Sequence, residues 1–253
     1  MTEIVPELAK CAVCGKGNQV RCVASYEHPA ACDLDTRPSE PMSFTVFLQR
    51  CEHCGYVNTD ISVGSDSIID FLNSGMYKTC DGINPEVSKA RDFIQYALVQ
   101  SYMKIHIGLF NAIDSDDEFS QKNIFWGFLN AAWASDDAAA HEPKENEEKY
   151  DRELCRRNAI ECRQRCLDLI NTLIVKEEDQ DQRETLSGIK ADLLRRSGQF
   201  DAVIAEYENK VFTNPHVDQV VRFEMDLARV RDVHRYSMDH IDQVRYPLKN
   251  KTE

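Results

Sequence analysis

Two Cys-x-x-Cys-Gly segments, Cys11-Ala-Val-Cys14-Gly15 and Cys51-Glu-His-Cys54-Gly55, constrain this chain more than any other feature. The spacing aims two sulfurs at one point, and the glycine after the second cysteine permits the tight turn this needs. Cys11, Cys14, Cys51 and Cys54 together form the ligand set of one closed, tetrahedral structural metal site, most often zinc. Ligation by thiolates adds folding free energy to a segment too small to build a core alone.

The sequence around these pairs reads as a β-rich metal module over residues 1–62. Gln19–Val23, Phe44–Arg50 and Tyr56–Ser62 are strand-like runs. Between them Glu27–Met42 holds Pro29, Pro38 and Pro41 without helical period, as a loop excursion does. Residues 63–84 contain Gly64, Gly75 and Gly82 and read as a connection, with a short helical turn at Ile68–Leu72.

The period then changes, and residues 85–240 read as an array of amphipathic helices followed by a tail, 241–253. Asn84-Pro85-Glu86 has the form of a helix start, with Asn as N-cap and Pro at the first helical position. Val87, Ala90, Ile94, Ala97, Leu98, Ile105 and Leu109 follow at helical spacing. After an acidic break at Asp114–Glu118, a second stripe runs through Ile124, Phe125, Phe128, Leu129, Ala132 and Trp133. A third helix carries Cys155, Ala159, Cys162, Cys166, Leu169 and Leu173 on one seam. Glu148–Arg152, Glu153–Arg157 and Glu161–Arg165 are spaced to pair on its outer face. Leu186, Ile189, Leu193 and Leu194 mark a fourth helix. Gly198 then separates two helices, and Asn214-Pro215 repeats the cap-and-proline start.

Gly198, Phe200, Tyr207 and Pro215 lie where a tetratricopeptide repeat places its turn glycine, following aromatic, bulky second-helix residue and closing proline, although Val203 replaces the usual alanine. The segment resembles one such repeat, which implies a scaffold that binds peptides or protein segments. The chain also resembles a mainly bacterial, uncharacterised family of zinc-ribbon proteins with a tetratricopeptide-like C-terminal region. The match is carried by the two cysteine pairs, Asp33–Pro38, Gln49–Tyr56 and Ala131–Asp137. This resemblance implies an α+β chain, a small zinc-ribbon module followed by an all-α helical-hairpin array, and names no activity. Rubredoxins share the double Cys-x-x-Cys-Gly pattern, so iron is a second metal to weigh, behind zinc.

The net charge is −13, with 43 acids against 30 bases, and none of the regions 1–60, 61–144 and 145–253 is net basic. That disfavours nucleic acid, whose phosphates are held by clustered Lys and Arg. No apolar run reaches the roughly 20 residues of a membrane span. Met1–Lys10 lacks the basic and apolar regions of a signal peptide, so the expected compartment is the cytoplasm. Ten cysteines there read as ligands or small hydrophobes rather than disulfides.

Asp33, Asp35 and Arg37 alternate in an extended segment and share one face. They form either a grip for a peptide, cation or phosphate, or an ion-pair lock holding the loop on the ribbon, and the lock is the better reading. Cys22, His28, Cys32 and His53 fall short of a second metal set. Cys155, Cys162 and Cys166 read as core, and Cys80 has no histidine near it in sequence to make it a nucleophile. Trp126 and Trp133 share a helical face, and Asp136 and Asp137 lie where a helix C-terminus disfavours acids. His234 and His240 lack carboxylate spacing for a metal. The sequence holds no phosphate loop, nucleophile elbow or His-Glu-x-x-His helix. The expected role is therefore a non-enzymatic, zinc-binding interaction scaffold or adaptor for a protein or peptide segment. A nucleic-acid-binding ribbon, a metal- or redox-responsive protein and an enzyme using Asp33, Asp35 and Arg37 are the alternatives.

Overall fold

A computed structural model of the chain describes residues 3–25, 32–38, 48–106, 117–143 and 149–244. A small β portion near the N-terminus is followed by helices, so the chain is α+β. It forms two compact units, Met1–His28 with Pro41–Arg165, and Pro29–Glu40 with Cys166–Glu253. The sequence divides at 62 and 84, where the element type changes; the units divide where packing changes, within a helix.

In the first unit, β1 (Glu3–Lys10) pairs antiparallel with β2 (Gly17–Ser25), and β3 (Gln49–Arg50) with β4 (Val57–Asn58). The sequence does not announce β1, because Pro6 interrupts it and Ile4, Val5, Leu8 and Ala9 do not alternate with polar residues. β1 is mostly exposed, so no apolar alternation is required of it. Of the expected strand at 44–50 the described residues carry β3, residues 41–47 lying outside them, and the expected strand at 56–62 shrinks to β4. Two-residue strands carry little stability of their own. Here β4 lies on α3 (Ser88–His106), and Gln100 of that helix donates to Asn58 Oδ1 at 3.3 Å.

The connection holds a 3-10 turn (Asp66–Ile68), α1 (Ile69–Asn73) and α2 (Gly75–Lys78). The next helix, α3, runs Ser88–His106 and starts later than the Asn-Pro signal suggests. Asn84 has φ +50, where an N-cap needs extended backbone, and its N–H instead closes the preceding turn on the Thr79 carbonyl at 3.1 Å. At the other Asn-Pro the rule works. Asn214 is extended at φ −79, ψ 113, and its side chain accepts from His216 and Val217.

α4 (Asp117–Ala140) packs along α3 and buries all six residues of its expected stripe. On α3 the stripe from Val87 to Leu98 is buried, but Ile105 is 67% exposed; Leu109 lies outside the described residues. The two helices approach closely at Gly127. A Cβ there would stand 2.9 Å from Ala97 Cβ and 3.1 Å from the Phe93 carbonyl oxygen.

α5 (Arg152–Lys176) passes from one unit into the other, since the units divide after Arg165. Its seam is buried at Cys155, Ala159, Cys162, Cys166 and Leu173 and half-buried at Leu169. Free cysteines serve there as small hydrophobes. Arg165 reaches Asp81 at 2.7 Å rather than Glu161, and Glu153 pairs with Arg156, not Arg157.

The second unit contains α6 (Gln180–Arg196), α7 (Phe200–Tyr207), α8 (Pro215–Arg229) and α9 (Met238–Val244). α6 ends at Gly198, whose φ of +76 reverses the chain into α7, and α8 packs on both. Tyr207 is buried and donates to the Ser187 carbonyl at 2.8 Å, tying α7 to α6. Leu34, far away in sequence, is buried with Val220, Phe223, Leu227 and Ile241. Among the described residues no helix is long and apolar enough to cross a membrane.

Gly127→Ala should lower stability despite a helix-propensity gain of about 1 kcal/mol. The added methyl meets a backbone oxygen that cannot rotate away, and overpacking of this kind costs about 1–3 kcal/mol. Urea unfolding read by circular dichroism checks this; an unchanged or raised midpoint would contradict the close crossing.

Candidate metal centre and buried charge cluster

The two cysteine pairs sit in the turns of the two small hairpins, and both turns make the same backbone bonds. Gly15 N–H donates to the Cys11 carbonyl and Gly55 N–H to the Cys51 carbonyl, each at 2.9 Å. Cys11 N–H donates to Lys16 at 2.9 Å and Cys51 N–H to Tyr56 at 2.8 Å. Gly15 and Gly55 have φ of +70 and +75, so the glycine in each motif answers a backbone requirement.

The turns face each other. Cys11 Sγ lies 3.7 Å from Cys54 Sγ, Cys14 Sγ lies 3.6 Å from Cys51 Sγ, and all four sulfurs fall within 4.8 Å of one another. A tetrahedral site with metal–sulfur bonds of about 2.3 Å has sulfur–sulfur edges of about 3.8 Å. The four cysteines therefore lie close enough to hold one metal ion, with no fourth position left for water or substrate. Among the described residues no other group of His, Cys, Asp and Glu gathers in this way.

Neighbouring side chains align the turns, and the sequence did not single them out for this. Asn18, almost fully buried, donates to the Lys16 carbonyl at 3.0 Å and accepts from Glu52 N–H at 2.9 Å, joining one turn to the other. His53 Nε2 lies 3.1 Å from the Gly17 carbonyl, which makes it a strut beside the site. The Gly55 carbonyl accepts from Tyr77 Oη at 2.5 Å and from Arg50 Nη1 at 3.2 Å, and Arg50 pairs with Asp92 of α3 at 2.5 Å. Such outer contacts orient ligands and tune them.

Burial pushes the Cys51 thiol up, but backbone N–H groups of Cys54 and His53, with the neighbouring sulfurs, bring it down to about 6. Burial raises Cys11, and burial with the adjoining sulfurs raises Cys54.

The remaining cysteines and histidines are dispersed. Cys22 Sγ accepts from Gln49 Nε2 at 3.4 Å, and His28 lies outside the described residues. Cys80 is buried at φ +52, and burial raises its thiol to about 11, which suits no nucleophile. His234 bonds Asp232 and His240 bonds Ser237. Trp133 is buried and Trp126 half-buried. Asp136, one of the two acids near the C-terminus of its helix, meets Arg163, which is 2% exposed.

Asp33, Asp35 and Arg37 are 7%, 1% and 2% exposed. They form a lock, but on the helical unit and not on the ribbon as the sequence suggests. Asp33 faces Arg235 at 3.4 Å, and Asp35 faces Arg196 of α6 at 3.8 Å while accepting from Arg37 N–H at 3.3 Å. The turn is tight, with Thr36 at φ +68, and Leu34 N–H donates to the Tyr236 carbonyl at 3.2 Å. The ribbon assignment failed because chain order places this loop between the cysteine pairs, whereas its buried charges find their counter-ions on α6 and near Tyr236. Burial raises the Asp33 carboxyl, and Arg235, Arg37 and Arg196 pull against that.

In the same unit Arg195 is fully buried between Glu224 and Asp192, and donates to the Asp232 and His234 carbonyls at 2.9 and 2.8 Å. Two carboxyls share this guanidinium. Burial, with Asp192 adding, raises Glu224 to about 8 against the pull of Arg195. A carboxyl whose folded value lies above its unfolded one binds more protons folded than unfolded between those values. Its contribution to stability is complete at low pH and declines as pH rises from the ordinary carboxylate value toward 8.

Two outcomes follow for these groups. The purified, reduced chain should carry one metal, and Cys51→Ser should lose it and lower the thermal midpoint. Because the ligands bind as thiolates, metal should be released as pH falls, with proton uptake. Elemental analysis against pH tests this, and a reduced chain without metal at neutral pH would contradict it. Separately, Glu224→Gln mimics the protonated carboxyl and should cost only about 1 kcal/mol near pH 6. The wild type should lose stability relative to it toward pH 8. A loss of about 3–5 kcal/mol at pH 6 would mean that Glu224 is ionised in a buried pair.

The chain matches no family model, and no curated protein or solved structure matches it significantly.

Proposed function

We propose that the four cysteines hold one structural zinc ion and that the chain is a non-enzymatic interaction scaffold or adaptor for a protein or peptide segment. In this reading it belongs with the zinc-ribbon proteins that carry a tetratricopeptide-like helical region. The zinc assignment rests on the donor set, four thiolates without an open position, which suits zinc above iron. Zinc bound there supplies cross-linking of the two turns and no chemistry. Ten free thiols suit a reducing compartment and support the cytoplasm.

The observation that carries the scaffold reading is the α6–Gly198–α7 hairpin with α8 capped by Asn214 and laid on both helices. Phe200, Val203 and Tyr207 are buried on the faces such a repeat uses for stacking. Stacked hairpins bury one face of each helix and leave others for a partner. The enzyme alternative loses its motive, because the Asp33 and Asp35 carboxylates face arginines inside the helical unit. The net charge of −13 continues to disfavour nucleic acid.

Gly198→Val forces a β-branched residue into φ +76, which costs roughly 1 kcal/mol or more, while the cysteine turns lie in the other unit. Affinity purification of the full chain from its native cells should recover a stoichiometric protein partner with the wild type. Gly198→Val should reduce that partner while metal content stays constant. Recovery of nuclease-sensitive nucleic acid instead, or a partner indifferent to Gly198→Val, would overturn the reading.

A further inference from the structure

Beside the second cysteine turn the first unit has a cavity of about 520 Å³, whose wall includes Arg50, Cys54, Lys78, Asn84, Arg91 and Gln95. No Asp or Glu lines it, in a chain with 43 acids and 30 bases. The acids nearest in sequence to Lys78 and Arg91 already have partners, one of them Arg50 of the wall itself. Asp81 pairs with Arg165 at 2.7 Å, Asp92 with Arg50 at 2.5 Å, and Glu86 accepts from Asp151 N–H at 2.5 Å.

The three cations differ in what they have left to offer. Arg50 is spent, bonding Asp92, Gln95 and the Gly55 carbonyl, and serves as a fixed wall. Lys78 and Arg91 are exposed, and among the described residues neither makes an ion pair. The Arg91 guanidinium donates only to the Pro85 carbonyl, at 3.3 Å. The turn between them is held in an uncommon conformation, with Cys80, Asp81 and Asn84, none of them glycine, at φ +52, +54 and +50. Backbone strain of this kind persists where the surroundings over-determine it, and it gathers at binding sites.

We propose that this cavity binds a small organic anion, a phosphate ester or a di- or tricarboxylate, clamped between Lys78 and Arg91. The volume falls in the range of small-molecule sites, roughly 300–1,000 Å³, and exceeds what a single inorganic phosphate fills. The Asn84 amide on the wall gives one N–H to the Gly82 carbonyl at 3.1 Å and has a second N–H for an anion beside the two charges. This site goes beyond the scaffold reading and does not depend on it, since the helical hairpin at Gly198 belongs to the other unit.

The test is calorimetric titration of the metal-loaded full chain with pyrophosphate and with citrate, at an ionic strength held constant with sodium chloride. One or both should bind the wild type, and the tighter of the two identifies phosphate or carboxylate as the preferred group. Lys78→Ala and Arg91→Ala should each weaken binding roughly tenfold or more, the scale of one charge-assisted hydrogen bond. Both side chains are exposed, so metal content and circular dichroism should stay at wild-type values. Arg156→Ala, on α5 and outside the cavity, should leave binding unchanged and serves as the charge control. Absence of binding by both anions overturns the proposal. So does a loss of affinity in Arg156→Ala equal to that in the cavity variants, because that would mark a diffuse electrostatic effect.

Discussion

Four sulfur atoms within 4.8 Å of one another are the constraint around which the β portion is arranged. The hairpins that present them are unequal. One is long and exposed, the other has two residues per strand, and neither could bury enough apolar surface to persist alone. A metal ion held by the four sulfurs would close a loop of nearly forty residues between Cys14 and Cys51, and by chain-entropy reasoning such closure would be worth about 4 kcal/mol. That figure is of the size of a small domain's whole stability, so the ligand set and the hairpins form one cooperative element.

The metal turns also lean on helices. Arg50 joins the Gly55 carbonyl to Asp92 and Gln95 of α3, and Tyr77 of α2 reaches the same carbonyl. A ribbon module in isolation would lose these contacts. The compact unit that contains the cysteines accordingly extends through α3 and α4 to Arg165. Buried charge organises the other unit, where Arg195 and Arg196 end α6 and meet carboxyls from α8 and from the loop at 32–38. Charges this deeply buried cost more to desolvate than an apolar core would, so their value lies in fixing one arrangement of helix ends and loop.

Much of this was legible because it depends on local period and spacing. The cysteine pairs, the α4 and α5 stripes, Gly198 and the Asn214 cap all obey short-range rules, and each is where the sequence puts it. Most of what failed depends on partners distant in the chain, Asn84 being the local exception. Asn84 and Asn214 precede proline alike, but only the second is extended, because the first closes a turn on Thr79. Asp136 looked misplaced until Arg163 supplied its counter-ion. Asn18 gave no signal, since an asparagine after Gly17 reads as an ordinary turn residue. The loop at 32–38 was set on the ribbon by adjacency, while its charges and Leu34 belong with α6, α8 and α9.

That loop sets the order in which the molecule can be finished. Residues 32–38 leave the ribosome well before their partners, since Asp33 bridges Ser237, about 200 residues later, a sequence separation of the kind that slows folding. Once Cys54 and the helices of its unit have emerged, the metal turns can close, and their central loop must then wait, its carboxylates solvated, until the last helices arrive. Translation therefore leaves this unit open at one place until Ser237 and Ile241 have emerged. The interval before α9 is complete is when Leu34, Val220 and Phe223 present apolar surface to a chaperone or to another nascent chain.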